Sequence, residues 1–224
     1  MKTIAVIVAG GSGSRMGTDR PKQFLELEGK PLLVHSAIAF REAFADIDIV
    51  LVLPQVHLDE GMTLMAAHLP DARVRFTEGG ATRYDSVRRG LALVEGPAIV
   101  FVHDAVRCLV TASLIRNCYF RAMEKGSAIP AVAVKDSMRM VGDGASRVVD
   151  REKLRAVQTP QTFHTDLILP AFAQAYDPSF TDEATVVESS GRSIELIEGE
   201  ETNIKVTYPT DLIVAEKIMR SRLT

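Results

Sequence analysis

The stretch IAVIVAGGSGSRMG, residues 4–17, runs an unbroken apolar segment, Ile4 to Val8, straight into a loop that carries Gly10, Gly11 and Gly13 and then Arg15. A continuous Val/Ile run of this kind fits a strand buried on both faces, the way strands of a parallel sheet read. A glycine loop at its end lets backbone amides approach an anion that side chains would hold away. A helix starting just beyond would add its positive end to the same place. The expectation is a first strand of an α/β sheet with a phosphate site at its carboxyl end.

Outward from that strand the rhythm repeats. Apolar runs at Ile47 to Leu53, Arg73 to Thr77, Ala98 to His103, Ala128 to Val134 and Ser193 to Ile197 read as further strands, with Gly, Pro or Asp at the joints. Between them Leu33, Ala37, Phe40 and Phe44 fall at helical spacing, as do Val87, Leu91 and Val94, and later Leu114, Cys118 and Ala122. A closing helix is expected from about Asp211 to Arg220, entered through Pro209 and Thr210. The pattern predicts an α/β fold with a mostly parallel sheet flanked by helices, and one domain over residues 1–224.

One segment breaks the rhythm. Lys135 to Val141 and Ser146 to Asp150 are strand-like around the turn signal Gly142-Asp143-Gly144, which predicts a hairpin arm at about 135–151. An isolated two-stranded arm gains little by itself, so pairing with a second subunit would explain it. A surface hairpin folded back onto its own domain fits the spacing equally well.

Composition narrows the function classes. A net charge of -3 gives no positive field suited to a nucleic acid, and none is expected as a partner. Only Cys108 and Cys118 occur, so neither a disulfide framework nor zinc-ligand spacing exists, which points to a reducing, cytoplasmic setting. Met1-Lys2-Thr3 leads directly into the first strand, leaving no room for a cleavable signal, and no apolar run is long enough for a membrane span.

Three kinds of phosphate loop compete at residues 9–16. The Walker string G-x-x-x-x-G-K-[ST] is absent, which excludes a P-loop ATPase or GTPase. The dinucleotide fingerprint starts at Gly11 and Gly13 but meets Met16 in place of its third glycine, and Glu26 and Glu28 are poorly placed as a ribose carboxylate. An NAD-dependent oxidoreductase is thereby a weaker alternative, alongside a nucleotide sensor without turnover. Arg15 and Lys22, the latter set by Pro21, instead put two cations within reach of one triphosphate. His103-Asp104-Ala105-Val106-Arg107 follows the Ala98 strand and so lies at a carboxyl end of the sheet, where open α/β folds bind ligands. Asp104 there suits a ribose or magnesium, which takes one or two carboxylates and fills its shell with phosphate and water. An internal ion pair of Asp104 with Arg107 accounts for the same residues.

The strings A-G-G-x-G-x-R-M, P-K-Q-F, H-D-A-x-R and N-I-K-V-T, in this order over nearly the whole chain, resemble the 2-C-methyl-D-erythritol 4-phosphate cytidylyltransferase family of the non-mevalonate isoprenoid pathway and its relatives that activate ribitol 5-phosphate. The resemblance implies a Rossmann-like homodimer with a protruding dimerisation arm, using Mg2+ to join CTP to a small phosphorylated polyol. It puts Ala9, Gly10, Gly11, Gly13, Arg15 and Lys22 on the CTP phosphates, Gly80 and Ser86 on cytosine, and Asp104 and Ala105 on the rest of the nucleotide. It puts Arg107, Ser137, Arg151, Thr181 and Lys205 on the second substrate, with Arg15, Lys22 and Lys205 as the catalytic cations and Lys205 carried on a short strand. The attacking phosphate oxygen is already ionised, so no general base is required and cations must offset the charge repulsion. Three positions depart from the usual family strings: Val106 for alanine, Cys108 for proline and Ser137 for threonine. The first two are expected to alter the loop around Arg107.

Overall fold

The computed structural model describes residues 1–10, 16–17, 20–142 and 144–222. In chain order its elements are β1 (Lys2–Val8), a short pair β2 (Glu26–Leu27) and β3 (Lys30–Pro31), α1 (Leu32–Ala43), β4 (Asp48–Leu53), α2 (Leu58–His68), β5 (Arg73–Glu78), α3 (Arg83–Leu91), β6 (Ala98–Asp104), α4 (Ala112–Lys125) and β7 (Ser127–Ala133). There follow β8 (Met138–Gly142), β9 (Ala145–Val149), β10 (Arg155–Val157), β11 (Gln161–His164), α5 (Thr165–Ala171), α6 (Glu183–Ser189), β12 (Leu196–Glu198) and α7 (Pro209–Ser221).

The main sheet has the order β10-β7-β11-β6-β1-β4-β5, with β12 also paired to β7. Strands β6, β1, β4 and β5 are mutually parallel, whereas β11 runs antiparallel between β6 and β7. Because β4 lies on one side of β1 and β6 on the other, the order reverses at β1, and the ligand crevice of such sheets opens there. In register Val8 faces Asp104, and the Ala105 N–H donates to the Val8 carbonyl at 3.0 Å. The chain segments that follow Val8 and Asp104 therefore leave the sheet side by side.

Both faces of β1 are buried, as the unbroken apolar run requires. Ala5 and Ile7 join Phe40, Phe101, Ile115 and Cys118 on the face covered by α1 and α4, while Ile4 and Val6 join Val87, Leu91, Phe163 and Val187 on the face covered by α3, α5 and α6. Each of the Ile, Leu, Val and Phe side chains among them contributes about 1.5–3 kcal/mol on burial. Helix α3 lies unusually close to the sheet because Gly90 faces it: a Cβ there would stand 2.5 Å from Val6 Cγ1.

Several expectations change. Strand β12 begins only at Leu196, and the helix α7 starts earlier than expected, with Pro209 at its first turn and Asp211 Oδ2 accepting from the Thr207 and Tyr208 N–H groups at 2.8 Å. Lys205 is not on a strand; it lies in an irregular extended segment, tied down where the Val206 N–H donates to the Val106 carbonyl at 3.0 Å. Strands β10 and β11 and helices α2, α5 and α6 were not predicted.

The arm β8–β9 is a separate two-stranded sheet, with no strand partner in the main sheet among the described residues. Its strands are exposed at every position but the half-buried Val149, with Val141 at 79% and Val148 at 74%, so it does not fold back onto its own core. Asp143, at its turn, lies outside the described residues. Val106 and Cys108 pack into a third apolar cluster with Leu109, Val206 and Ala215. In the loop that follows β6, the Arg107 N–H closes a turn onto the Asp104 carbonyl at 2.9 Å.

Candidate active site

The cleft at the reversal point has two lobes. One is lined by Val8 to Gly10, Lys22, Gln23, the Gly80–Arg83 loop and Ser86; the other by Arg107, Gln158, Gln161, Thr181 and Asp182. Arg83, Asp104 and Lys205 belong to both and form the line along which the lobes meet.

In the first lobe, Ala9 is held by its N–H on the Val52 carbonyl at 2.8 Å, and Gly10 follows at the cleft wall. Gly11, Gly13 and Arg15, three of the expected phosphate-loop residues, lie outside the described residues. Lys22 opens a 3-10 turn, Lys22–Phe24, behind Pro21, and the fully buried Phe24 packs 5.0 Å from the His57 ring. An apolar plug two residues on thus holds the lysine at the cleft. Gly80 must be glycine, because a Cβ would fall 2.2 Å from Asp85 Cβ. Its N–H donates to Ser86 Oγ at 3.0 Å while that hydroxyl donates to the Thr82 carbonyl at 3.0 Å. Ser86 therefore retains one lone pair, able to accept from an amino group on a base.

At the meeting line Asp104 is nearly buried and surrounded by cations. Oδ1 accepts from Arg83 Nε at 3.3 Å and Nη2 at 3.2 Å, and Oδ2 from Lys205 Nζ at 2.8 Å, with Arg107 Nε 3.9 Å away. Burial alone would raise this carboxyl's pKa, but Arg83, Lys205 and Arg107 outweigh it and hold the group well below the usual carboxylate range. Burial opposes the charge on Arg83 as well, and Glu183 and Asp104 more than compensate, raising its pKa. The adjacent His103 is pushed down to about 3 by burial and stays neutral, with Nδ1 3.0 Å from Thr159 Oγ1, so it is no acid or base at neutral pH. Cys108 and Cys118 are buried thiols raised to about 12, not nucleophiles.

Asp104 thus pairs with three cations rather than with Arg107 alone. It fits magnesium as a single carboxylate: Arg83 takes Oδ1, and the close partner of Oδ2 is a lysine head that a phosphate can draw off. Among the described residues no group of three or more His, Cys, Asp or Glu side chains forms a metal cage, so phosphate oxygens and water would complete such a shell.

The other expected residues divide. Thr181, Arg107 and Lys205 share the second lobe, where Arg107 Nη1 donates to the Asn203 carbonyl at 2.8 Å. Ala105 does not line the cleft: it is fully buried, with its N–H on Val8 and its carbonyl accepting from Ser36 Oγ at 2.9 Å. Its part is to clamp β6 to β1, because both polar groups are already committed. Ser137 and Arg151, on the limbs of the arm, are exposed and line neither lobe; Arg151 Nη1 donates to the Lys135 carbonyl at 2.7 Å. Arg83, Glu183 and Gln161 were not singled out in the sequence, where each reads as an ordinary polar residue at an element's start.

Residues 3–221 match the family described as 2-C-methyl-D-erythritol 4-phosphate cytidylyltransferase. A relative of that name from Bacteroides thetaiotaomicron is 44% identical over 219 residues, covering 98% of this chain and 100% of its own. The crystal structure of the Thermus thermophilus protein of that name is 34% identical with a TM-score of 0.74, covering 96% of this chain and 98% of its own. The 4-diphosphocytidyl-2C-methyl-D-erythritol synthase structure from Anaerococcus prevotii reaches a TM-score of 0.83 at 25% identity, covering 98% and 96%. The chain belongs to the 2-C-methyl-D-erythritol 4-phosphate cytidylyltransferase family.

Proposed function

We infer that the protein joins CTP and 2-C-methyl-D-erythritol 4-phosphate, giving the CDP-linked polyol and pyrophosphate. The observation that carries this reading is the two-lobed cleft whose lobes meet at Arg83, Asp104 and Lys205. A transferase needs a donor and an acceptor to approach across one charged line, whereas a dehydrogenase or a nucleotide sensor does not need cations spanning both lobes.

In the reaction, an ionised oxygen of the acceptor phosphate attacks the α-phosphorus of CTP, forming the new P–O bond as the bond to the bridging oxygen breaks and pyrophosphate departs. Gly10 and Lys22 serve the triphosphate, Gly80 and Ser86 the cytosine, and Arg107 and Thr181 the acceptor. Lys205 leaves Asp104 for a phosphate oxygen as substrate enters, and with Lys22 it offsets the charge that accumulates in the transition state. Magnesium would be held by Asp104 and would supply further neutralisation of phosphate charge.

Ser137 and Arg151 reach a substrate only if the arm crosses to a neighbouring subunit. A homodimer with each acceptor site completed in trans follows, supported by the exposed apolar residues Met140, Val141 and Val148 on the arm. The two buried, unpaired cysteines support a cytoplasmic setting, and among the described residues no helix is long and apolar enough to cross a membrane.

The test is magnesium-dependent pyrophosphate release from CTP, with methylerythritol 4-phosphate and ribitol 5-phosphate offered in parallel and ATP, GTP and UTP as controls. Release with the first acceptor is expected. Preference for ribitol 5-phosphate would keep the chemistry and change the acceptor, and silence with both from folded protein would end the reading.

A further inference from the structure

Glu183 has no role in the scheme above, yet it is a fully buried carboxylate next in sequence to Asp182, which lines the cleft. Burying a carboxylate is costly unless it is paired, and an apolar residue would anchor the start of α6 without that penalty. Both of its oxygens go to one partner: Oε1 accepts from Arg83 Nη1, and Oε2 from Arg83 Nη2 at 3.1 Å. The remaining edge of the Arg83 fork, Nε and Nη2, then meets Asp104 at Oδ1 alone.

This division of the guanidinium has a steric consequence. An arginine facing a single carboxylate prefers to grip both oxygens in parallel. Released from Glu183, Arg83 would be free to rotate into that grip on Asp104 and cover Oδ2, the oxygen that Lys205 Nζ now contacts at 2.8 Å. With Glu183 holding one edge, Oδ2 stays turned toward the point where the lobes meet.

Glu183 is itself firmly set. Gln161, buried on β11, donates to Asp182 Oδ2 at 2.8 Å and accepts from the Ala184 N–H at 2.8 Å, bracketing Glu183 from both sides in sequence. Asp182 Oδ1 caps α6 on the Thr185 N–H at 2.9 Å. Thr181, one residue before Asp182, lines the acceptor lobe. The segment that shapes the acceptor wall therefore also controls, through Arg83, the acid at the junction.

We propose that Glu183 is a positioning residue for nucleotidyl transfer, which acts through Arg83 to keep Oδ2 of Asp104 open to the reacting groups. The proposal rests on the cytidylyltransferase reading. Glu183→Gln keeps the shape and loses the charge. Its kcat should fall roughly tenfold to a hundredfold while KM for CTP stays within about threefold, since the residue touches neither substrate. In an Asp104→Asn background the same change should cost almost nothing further, because both act on one carboxylate. Crystals of Glu183→Gln should show Arg83 gripping both oxygens of Asp104.

A folded Glu183→Gln enzyme with kcat within about twofold of wild type overturns the proposal, as does a loss that adds in full to that of Asp104→Asn. Should Glu183→Gln fail to fold, Arg83→Lys serves instead. It keeps a cation for Glu183 but lacks the planar fork whose two edges are divided between the two carboxylates, and undiminished turnover in it would equally overturn the idea. Wild-type protein that releases no pyrophosphate would sink the cytidylyltransferase reading; the crystallographic result would then still decide the Glu183–Arg83–Asp104 claim.

Discussion

The cleft junction and the arm handle their polar and apolar groups in opposite ways. At the junction the buried carboxylates Asp104 and Glu183 are charges enclosed in protein, and both pair with the half-buried Arg83 of the same chain. On the arm Val141 and Val148 are apolar groups left in water, and the described residues of the chain offer them no cover. The first region is complete in one subunit. The second is the kind of surface that the proposed homodimer would cover with a neighbour, because a lone hairpin buries too little to hold itself.

The sharpest way to test the junction is to remove Lys205, which belongs to it, and Lys22, which lines the first lobe beside it. Lys205→Ala and Lys22→Ala should each lower kcat by about 10²–10³-fold, as expected for loss of a donor worth about 3 kcal/mol in the transition state, with the circular dichroism spectrum unchanged. Near-normal turnover in either would remove that lysine from the mechanism.

The arm should respond in the opposite sense. Val141→Asp combined with Val148→Asp is expected to give a folded monomer by sedimentation velocity, with KM for the acceptor raised about tenfold or more and KM for CTP little changed. A monomer with unaltered acceptor KM would mean that each cleft is finished by its own chain.

A smaller effect concerns pH. The folded pKa of Asp104 lies below its unfolded value, so the unfolded chain takes up the proton first, and the stability that the ion pairs contribute is present above about pH 4 and lost as pH falls further. Asp104→Asn should therefore lower Tm most above about pH 5, with the gap to wild type narrowing below about pH 4. A gap independent of pH would show that the charge of Asp104 does not support the fold. Smallest of all, Ser137→Thr should change kcat/KM by no more than about threefold in steady-state assays, because the hydroxyl is kept and the site is exposed.

Much of the fold was readable because β1, β4 and β6 carry continuous apolar runs rich in Val and Ile that suit a sheet covered on both sides. Strand β11 escaped because Gln161 and Thr162 look like loop residues, yet both are buried; Gln161 is tolerated inside by its bonds to Asp182 and Ala184. Lys205 was expected on a strand and is not. Val206 is nevertheless buried while Lys205 lines the cleft, as on a strand; only the ladder partner is missing. In the site, glycines and the His-Asp pair announced themselves through spacing. Arg83 and Glu183 lie 100 residues apart, and nothing local to either tells that they meet.

The pairing of Val8 with Asp104 across β1 and β6 has one more consequence. The loops that follow Val8 and Asp104 start from adjacent rails whose gauge is fixed by the sheet, not by the loops' own residues. Sequence drift in either loop, such as Val106 and Cys108 sinking into the apolar cluster beneath, can then change the lining of the cleft without changing the spacing of its two stems.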